Sequence, residues 1–260
     1  MPKLNILKTV EGAFNLVRRD PAIIVLFVVP AFFPVERILG NFLLYYLAVS
    51  IAPNSFELPF VPQIPPIPFV VVYLGVGLFF GAWASASAIL KVTGIEKRAR
   101  LGLQESLSQG FRKIPILLVP AIVGILLYTL INTSLRTVFI PQLLTGICPP
   151  VGDMEPYYIP VRIVTGLLFI IGLYVATRLR LAAPACILED NFGLSSSWRL
   201  VRGNWWRLFA ILLIFGGISG LLSQIPVVGI FVSDLIVSPL TLAAVSLVYF
   251  QLAEANWLGK

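Results

Sequence analysis

Apolar runs of about twenty residues, the length that crosses roughly 30 Å of hydrocarbon, recur near 21–45, 66–91, 115–138, 161–183, 206–228 and 235–256. Segments rich in charge, proline or glycine separate them. The pattern predicts an all-α, polytopic membrane helix bundle of six spans. The first run is the least regular. It stays apolar from Pro21 to Ala52 but contains Pro34, Glu36 and Arg37, and reads as one span followed by a projecting helix. No A-x-A-like cleavage site follows it, so the N-terminus does not read as a signal peptide.

The segments leading into spans one, three and five resemble one another. "EGAFNLVRRDPAIIVL" and "ESLSQGFRKIPILLVP" match Glu11 with Glu105, Arg18-Arg19 with Arg112-Lys113, and Pro21 with Pro115. "LGLQESLSQGF" and "FGLSSSWRLVR" share a Gly-Leu pair followed by a serine. One integral membrane domain over 1–260 is expected, built of three repeats over 1–94, 95–190 and 191–260. Each repeat is an amphipathic inner helix followed by a two-span hairpin. The alternative is that any basic segment running into an apolar one gives this likeness.

The leading segments carry apolar residues at helical spacing: Val10, Phe14 and Val17; Leu103, Leu107, Phe111 and Ile114; Leu194, Trp198, Val201 and Trp205. Ser195 to Ser197 are candidate N-caps for the third. Such helices either lie in the headgroup plane, with Trp198, Trp205, Trp206 and Trp257 as interfacial anchors, or pack on the protein's own inner surface. In span two, Gly77, Gly81 and Ser85 form one row of small residues, and Ala82 and Ala86 another. Small side chains let helices approach closely in lipid, so this span is expected at the centre.

Composition agrees with a membrane protein. The chain is 58% hydrophobic and 12% charged, with mean hydropathy +0.94, against about 25% charged residues in soluble domains. It has no histidine, which removes the commonest metal ligand and the usual general base near neutral pH. Cys148 and Cys186 are its two cysteines, with no CxxC, so no zinc or iron–sulfur site is expected. No cofactor is implied.

The net charge of +7 is unevenly placed. Lys3, Lys8, Arg18 and Arg19 precede span one. Lys91, Lys97, Arg98, Arg100, Arg112 and Lys113 lie between spans two and three. Arg178, Arg180, Arg199, Arg202 and Arg207 lie between four and five, and Lys260 follows six. Only Arg37, Arg136 and Arg162 of the 19 basic residues fall on the other side. The positive-inside rule then puts both termini and the basic loops in the cytoplasm of a multi-pass cell-membrane protein. The charge reads as a topology signal and a match to anionic lipid headgroups, not to nucleic acid. Cys148 and Cys186 fall on opposite sides, which argues against pairing them. The outer loops "APNSFELPFVPQIPPIP" and "ICPPVGDMEPYYIP" are proline-rich and expected to be semi-rigid caps.

Arg178 and Arg180 end the fourth run, at the inner hydrocarbon edge. Snorkelling to phosphate, an anion or lipid-phosphate site in a polar cavity, and an ion pair with Glu189, Asp190 or Glu254 are the readings they allow. On a helix the two point about 160° apart. Arg178 shares its stripe with Ala182 and Ala185 and is expected to face inward. Arg180 shares its stripe with Pro184 and Ile187 and is expected to meet lipid. LAAPACIL continues the helix past the membrane, bent at Pro184.

From Arg178 to Trp206 the pattern R-L-R-L-x-x-P-A-x-x-L-E-D-x-x-G-L-x-x-S-W-x-L-V-R-G-x-W-W resembles a signature of uncharacterised prokaryotic multi-pass proteins. These include the membrane domain attached to some glycerophosphodiester phosphodiesterases. The matching positions are Arg178, Arg180, Pro184, Glu189, Gly193, Ser197 and Trp198. The resemblance implies a helical membrane module. It brings no catalytic activity, because the soluble phosphodiesterase barrel and its acidic metal site are absent.

Enzyme chemistry has little to stand on. Glu189-Asp190 is the only adjacent acidic pair, adjacent helical residues do not converge on one metal, and Ser195 to Ser197 have no histidine base. No span carries a charge near its midpoint, which argues against a proton or ion relay. The expected function is therefore a non-catalytic module that binds lipid, scaffolds, or serves as a subunit with a protein partner or a second copy. Its candidate headgroup or anion contacts are Arg18, Arg19, Arg112, Lys113, Arg178, Arg180, Arg199 and Arg202. The alternative is a transporter or channel-like protein for small or lipidic molecules. It would have an outer polar vestibule formed by Glu36, Arg37, Asn132 and Arg136, with Asn41, Thr133, Ser134, Ser219, Ser223 and Gln224 nearby.

Overall fold

The structure, a computed structural model, describes residues 4–33, 67–97, 99, 101–144, 155–225 and 228–258. Among them the chain is all-helical: α1 (Ile6–Arg19), α2 (Ala22–Val25), α3 (Val28–Ala31), α4 (Ile67–Glu96), α5 (Leu103–Leu144), α6 (Glu155–Leu179), α7 (Ala182–Glu189), α8 (Leu194–Leu200), α9 (Trp205–Leu222), α10 (Val228–Val232), a π-helical turn (Ser233–Val237) and α11 (Ser238–Leu258). Stretches long and apolar enough to cross a membrane are Val71–Glu96, Leu103–Ile131, Ile163–Glu189, Trp205–Leu222 and Val228–Glu254. These match the last five runs expected from the sequence.

Of the first run, the described part is not one continuous helix. α2 and α3 are single turns. Pro30 has no N–H for the Leu26 carbonyl and its ring crowds it, which explains the break between them. Tyr73 Oη donates to the Phe32 carbonyl at 2.7 Å and holds this segment on α4. The remainder of that run lies outside the described residues.

The core follows the small residues. Ala82, Ala84, Ala86, Ser87 and Ala88 of α4 are buried. A Cβ on Gly110 of α5 would stand 2.9 Å from the Ser87 amide nitrogen, so that crossing admits only glycine. Trp83 Nε1 donates to the Leu107 carbonyl at 2.8 Å across the same seam. Gly81 faces open space instead, so it is the Ala82 and Ala86 row that makes α4 central. α4 and α11 are the inner helices, with 39% and 44% of their most apolar stretches buried, against 11% for α6.

The leading segments differ from one another. Asn5 caps α1 by accepting from Lys8 N at 3.1 Å, and Pro21 stands two residues beyond its last residue, Arg19. α1 buries Thr9, Ala13, Leu16 and Val17. It runs antiparallel to α11: Thr9 Oγ1 bonds Gln251 Oε1 at 3.4 Å, and Gly12 lies against Leu247. It is therefore packed on the protein, and Phe14, expected on the covered face, is 46% exposed. α8 is also separate from its span, with a break over Val201–Asn204. Its N-cap is Gly193, in the left-handed region at φ 66°, not a serine. The second leading segment is not a separate helix: α5 runs unbroken for 42 residues, about 63 Å at 1.5 Å per residue. Among the described residues, then, the three leading segments do not share one form: two are separate helices and one is continuous with its span.

Candidate functional site

Six chain segments converge at one end of the bundle: α1, the C-terminal ends of α4 and α11, the N-terminal part of α5, the α6–α8 region and the start of α9. This is the end to which the sequence assigned most of its basic residues. Pro184 makes its principal feature. Lacking an N–H, it cannot bond the Arg180 carbonyl, and the helix breaks at Arg180–Leu181, before α7 begins. The break exposes the last carbonyls of α6, and Ser197 Oγ of α8 donates to the Arg178 carbonyl at 2.6 Å.

The break also separates the two arginines. Arg180 is exposed. Arg178 is half-buried, its guanidinium carbon 5.1 Å from the Tyr174 ring centroid and 4.8 Å from that of Trp198. Nη1 donates to the Trp198 carbonyl at 3.2 Å, while Nε is covered and has no hydrogen-bond partner. Tyr174 and Trp198 meet edge to face at 6.1 Å, and Trp205 Nε1 donates to the Tyr174 carbonyl at 3.3 Å. Cation–π contacts of this kind contribute about 0.5–2 kcal/mol each.

Arg178 thus stands at the end of the exposed face of α6, covered there by Trp198 of α8, and not on an inward stripe with Ala182 and Ala185. The stripe argument also fails for Arg180, because Pro184 and Ile187 are buried with Ala182, Ala185 and Cys186. The break changes the helix direction after Arg180, so residues on either side no longer share a face.

The carboxylates near the arginines bond elsewhere. Glu189 accepts from Tyr249 Oη at 2.8 Å, from Asn191 Nδ2 at 3.2 Å and from Ser196 Oγ. Asp190, in the left-handed region at φ 52°, pairs with Lys113. Gly193 closes the turn: a Cβ there would meet the Cys186 nitrogen at 2.6 Å. Neither acid pairs with Arg178 or Arg180.

Other expected contacts divide the same way. Arg18, Arg19, Arg112, Arg199 and Arg202 are exposed. Lys113 is not a free headgroup contact, since Asp190 holds it. Trp206 and Trp198 are 71% and 41% exposed and suit an interface. Trp205 is less exposed than these two, half-buried between Tyr174, at 5.4 Å, and Phe209, stacked at 5.3 Å. The side chains of Glu36, Arg37, Asn132, Arg136 and Trp257, like Cys148, lie outside the described residues. Cys186 is buried and donates to the Ile116 carbonyl at 3.2 Å.

The sequence reading missed two features. Lys91, counted there among the loop cations, is 4% exposed; its Nζ pairs with Asp20 at 2.8 Å and donates to the Leu101 carbonyl at 3.2 Å. The lysine's place in the unbroken run "SASAILKVTG" was the available signal. Asp234 lies inside the last membrane-length stretch, because the helix begins at Val228 and passes through the π-helical turn. Beside it Ser219 and Ser233 share a 2.6 Å hydrogen bond. Among the described residues no group of three or more Cys, Asp or Glu is placed to hold a metal ion.

A family model described as a domain of unknown function, DUF7847, matches residues 4–256. The chain belongs to this DUF7847 family. No curated protein and no solved structure matches it. The match runs from the start of α1 almost to the end of α11, so the converging end lies wholly within the family domain.

Proposed function

We propose that this DUF7847 chain is a non-catalytic membrane module. It crosses the cell membrane six times, keeps both termini in the cytoplasm, and holds anionic lipid headgroups at its basic end. The observation that carries this reading is the gathering of sequence-remote basic segments at one end. There Arg112, Arg180, Arg199 and Arg202 are exposed, and so are Phe111, Trp198 and Trp206. Basic residues near an anionic leaflet contribute about 1 kcal/mol each, and aromatic rings favour the headgroup level.

The test is thermal stability of the purified chain in zwitterionic micelles, with and without phosphatidylglycerol, at low and high salt. Anionic lipid should raise Tm, and about 1 M salt should remove most of the rise, because screening then acts within roughly 3 Å. An equal Tm with and without phosphatidylglycerol at low salt contradicts the reading.

A further inference from the structure

The lipid reading leaves open which side chain selects a lipid and by what chemistry; the aromatic niche at the end of α6 answers both. We propose that Arg178 is a specific site for the phosphodiester of a membrane phospholipid, whose acyl chains lie along the outer face of α6. The inference rests on the lipid-binding reading above and names its site.

A guanidinium has five N–H donors in a fixed plane. In Arg178 one is engaged by the Trp198 carbonyl and the Nε donor is covered, leaving three on the Nη edge. Tyr174 and Trp198 occupy its surroundings at ring distances of 5.1 and 4.8 Å, which fixes the plane and restricts approach to that edge. No carboxylate among the described residues pairs with it: the two nearest in sequence are held by Ser196, Asn191 and Tyr249, and by Lys113. A planar cation with an open, fixed edge and no internal counter-charge is matched by an oxyanion that accepts two parallel hydrogen bonds, as phosphate does.

The helix itself points to a lipid as the source of that phosphate. Leu167, Ile170, Ile171 and Tyr174 are 54%, 62%, 57% and 38% exposed, one stripe at helical spacing that leads to Arg178. Gly172, off that stripe, lies against Ile131 of α5, so the bundle is on the other side. From Leu167 to Arg178 the helix rises about 16 Å, close to one leaflet's share of a roughly 30 Å hydrocarbon core. An acyl chain on the stripe brings its phosphate to the guanidinium.

The test is native mass spectrometry of the purified chain titrated with three probes. Phosphatidylglycerol has chains and phosphate, diacylglycerol has chains alone, and glycerol 3-phosphate has phosphate alone. Wild type should retain phosphatidylglycerol about tenfold more tightly than Arg178→Gln, the loss expected for charge-assisted hydrogen bonds. Arg178→Lys should lose severalfold, because an ammonium cannot form the paired bonds, and Arg180→Gln should match wild type. Diacylglycerol and glycerol 3-phosphate should each bind far more weakly than the lipid. Equal retention of phosphatidylglycerol by wild type and folded Arg178→Gln overturns the site, while the lipid reading survives if anionic lipid still raises Tm. If Arg178→Gln elutes as an aggregate, wild type decides: equal retention of diacylglycerol and phosphatidylglycerol overturns the proposal. Glycerol 3-phosphate binding as tightly as the lipid overturns the membrane source.

Discussion

Lys91 and Arg178 are both cations on long apolar helices at the same end of the bundle, yet the fold treats them oppositely. Lys91 is almost fully buried, with Asp20 at 2.8 Å and the Leu101 carbonyl at 3.2 Å. Arg178 is half-buried against two aromatic rings and, among the described residues, bonds a carbonyl and no carboxylate. The difference follows from chemistry. A compact ammonium is satisfied by one carboxylate and a carbonyl, whereas a planar guanidinium can cover its faces with rings and keep its edge open. An internally compensated cation holds the fold; one with no carboxylate partner among the described residues is what the proposed anion site requires.

The largest effect should come from Asp20→Asn. It leaves a buried ammonium without its counter-charge, at a cost of about 3–5 kcal/mol, or a fall in Tm on the order of ten degrees. Asp20→Asn with Lys91→Met should recover much of that loss in a thermal melt, because the orphaned charge is then gone. A double variant no more stable than Asp20→Asn alone would break the contrast, since Lys91 would then not depend on Asp20.

Next in size is Tyr249→Phe. It removes a hydrogen bond to the Glu189 carboxylate, worth about 1.5 kcal/mol, and should leave phosphatidylglycerol retention unchanged because Glu189 does not serve Arg178. Lipid retention that fell with Tyr249→Phe would join the two sites and blur the comparison. Arg178→Lys in lipid-free detergent should cost only about 1 kcal/mol, from weaker ring contacts and a lost carbonyl bond. Its larger effect should appear only when phospholipid is present. Arg180→Lys should stay within about 0.5 kcal/mol of wild type in either condition, as expected of an exposed side chain. Equal responses of Arg178→Lys and Arg180→Lys to added lipid would leave both as snorkelling cations.

The helices were legible because hydrophobic run length depends only on near neighbours in sequence. Each of the last five runs overlaps one of Val71–Glu96, Leu103–Ile131, Ile163–Glu189, Trp205–Leu222 and Val228–Glu254, with the largest offset at the start of the third, where the leading segment is continuous with its span. Pro184 was also legible as a bend, and the break falls where its missing N–H dictates, four residues earlier. Helical spacing shows which face is apolar, but not whether lipid or protein covers it. Hence α1 packs on α11 rather than lying free, and Trp205 turns inward while its neighbour Trp206 stays exposed. Long-range pairing was hidden for the same reason. Nothing in the pattern around Lys91, Lys113 or Glu189 names Asp20, Asp190 or Tyr249 as partners. The niche around Arg178 was legible in part. Its place at the inner end of the fourth run was expected, but the stripe with Ala182 and Ala185 ends at the helix break, and its aromatic walls come from two elements that meet only after the chain turns at Gly193.

That the basic end faces the cytoplasmic leaflet joins the charge pattern, the exposed arginines and the Arg178 niche into one reading. Cysteine accessibility tests it most directly. Because Cys186 is buried, single reporters are placed at exposed Ser195, in α8 before α9, and at exposed Gln224, just beyond the far end of α9, in a Cys148→Ser, Cys186→Ala background. With a membrane-impermeant maleimide, Gln224→Cys should label in intact cells and Ser195→Cys only after permeabilisation. Labelling of Ser195→Cys in intact cells, with Gln224→Cys protected until permeabilisation, would contradict it.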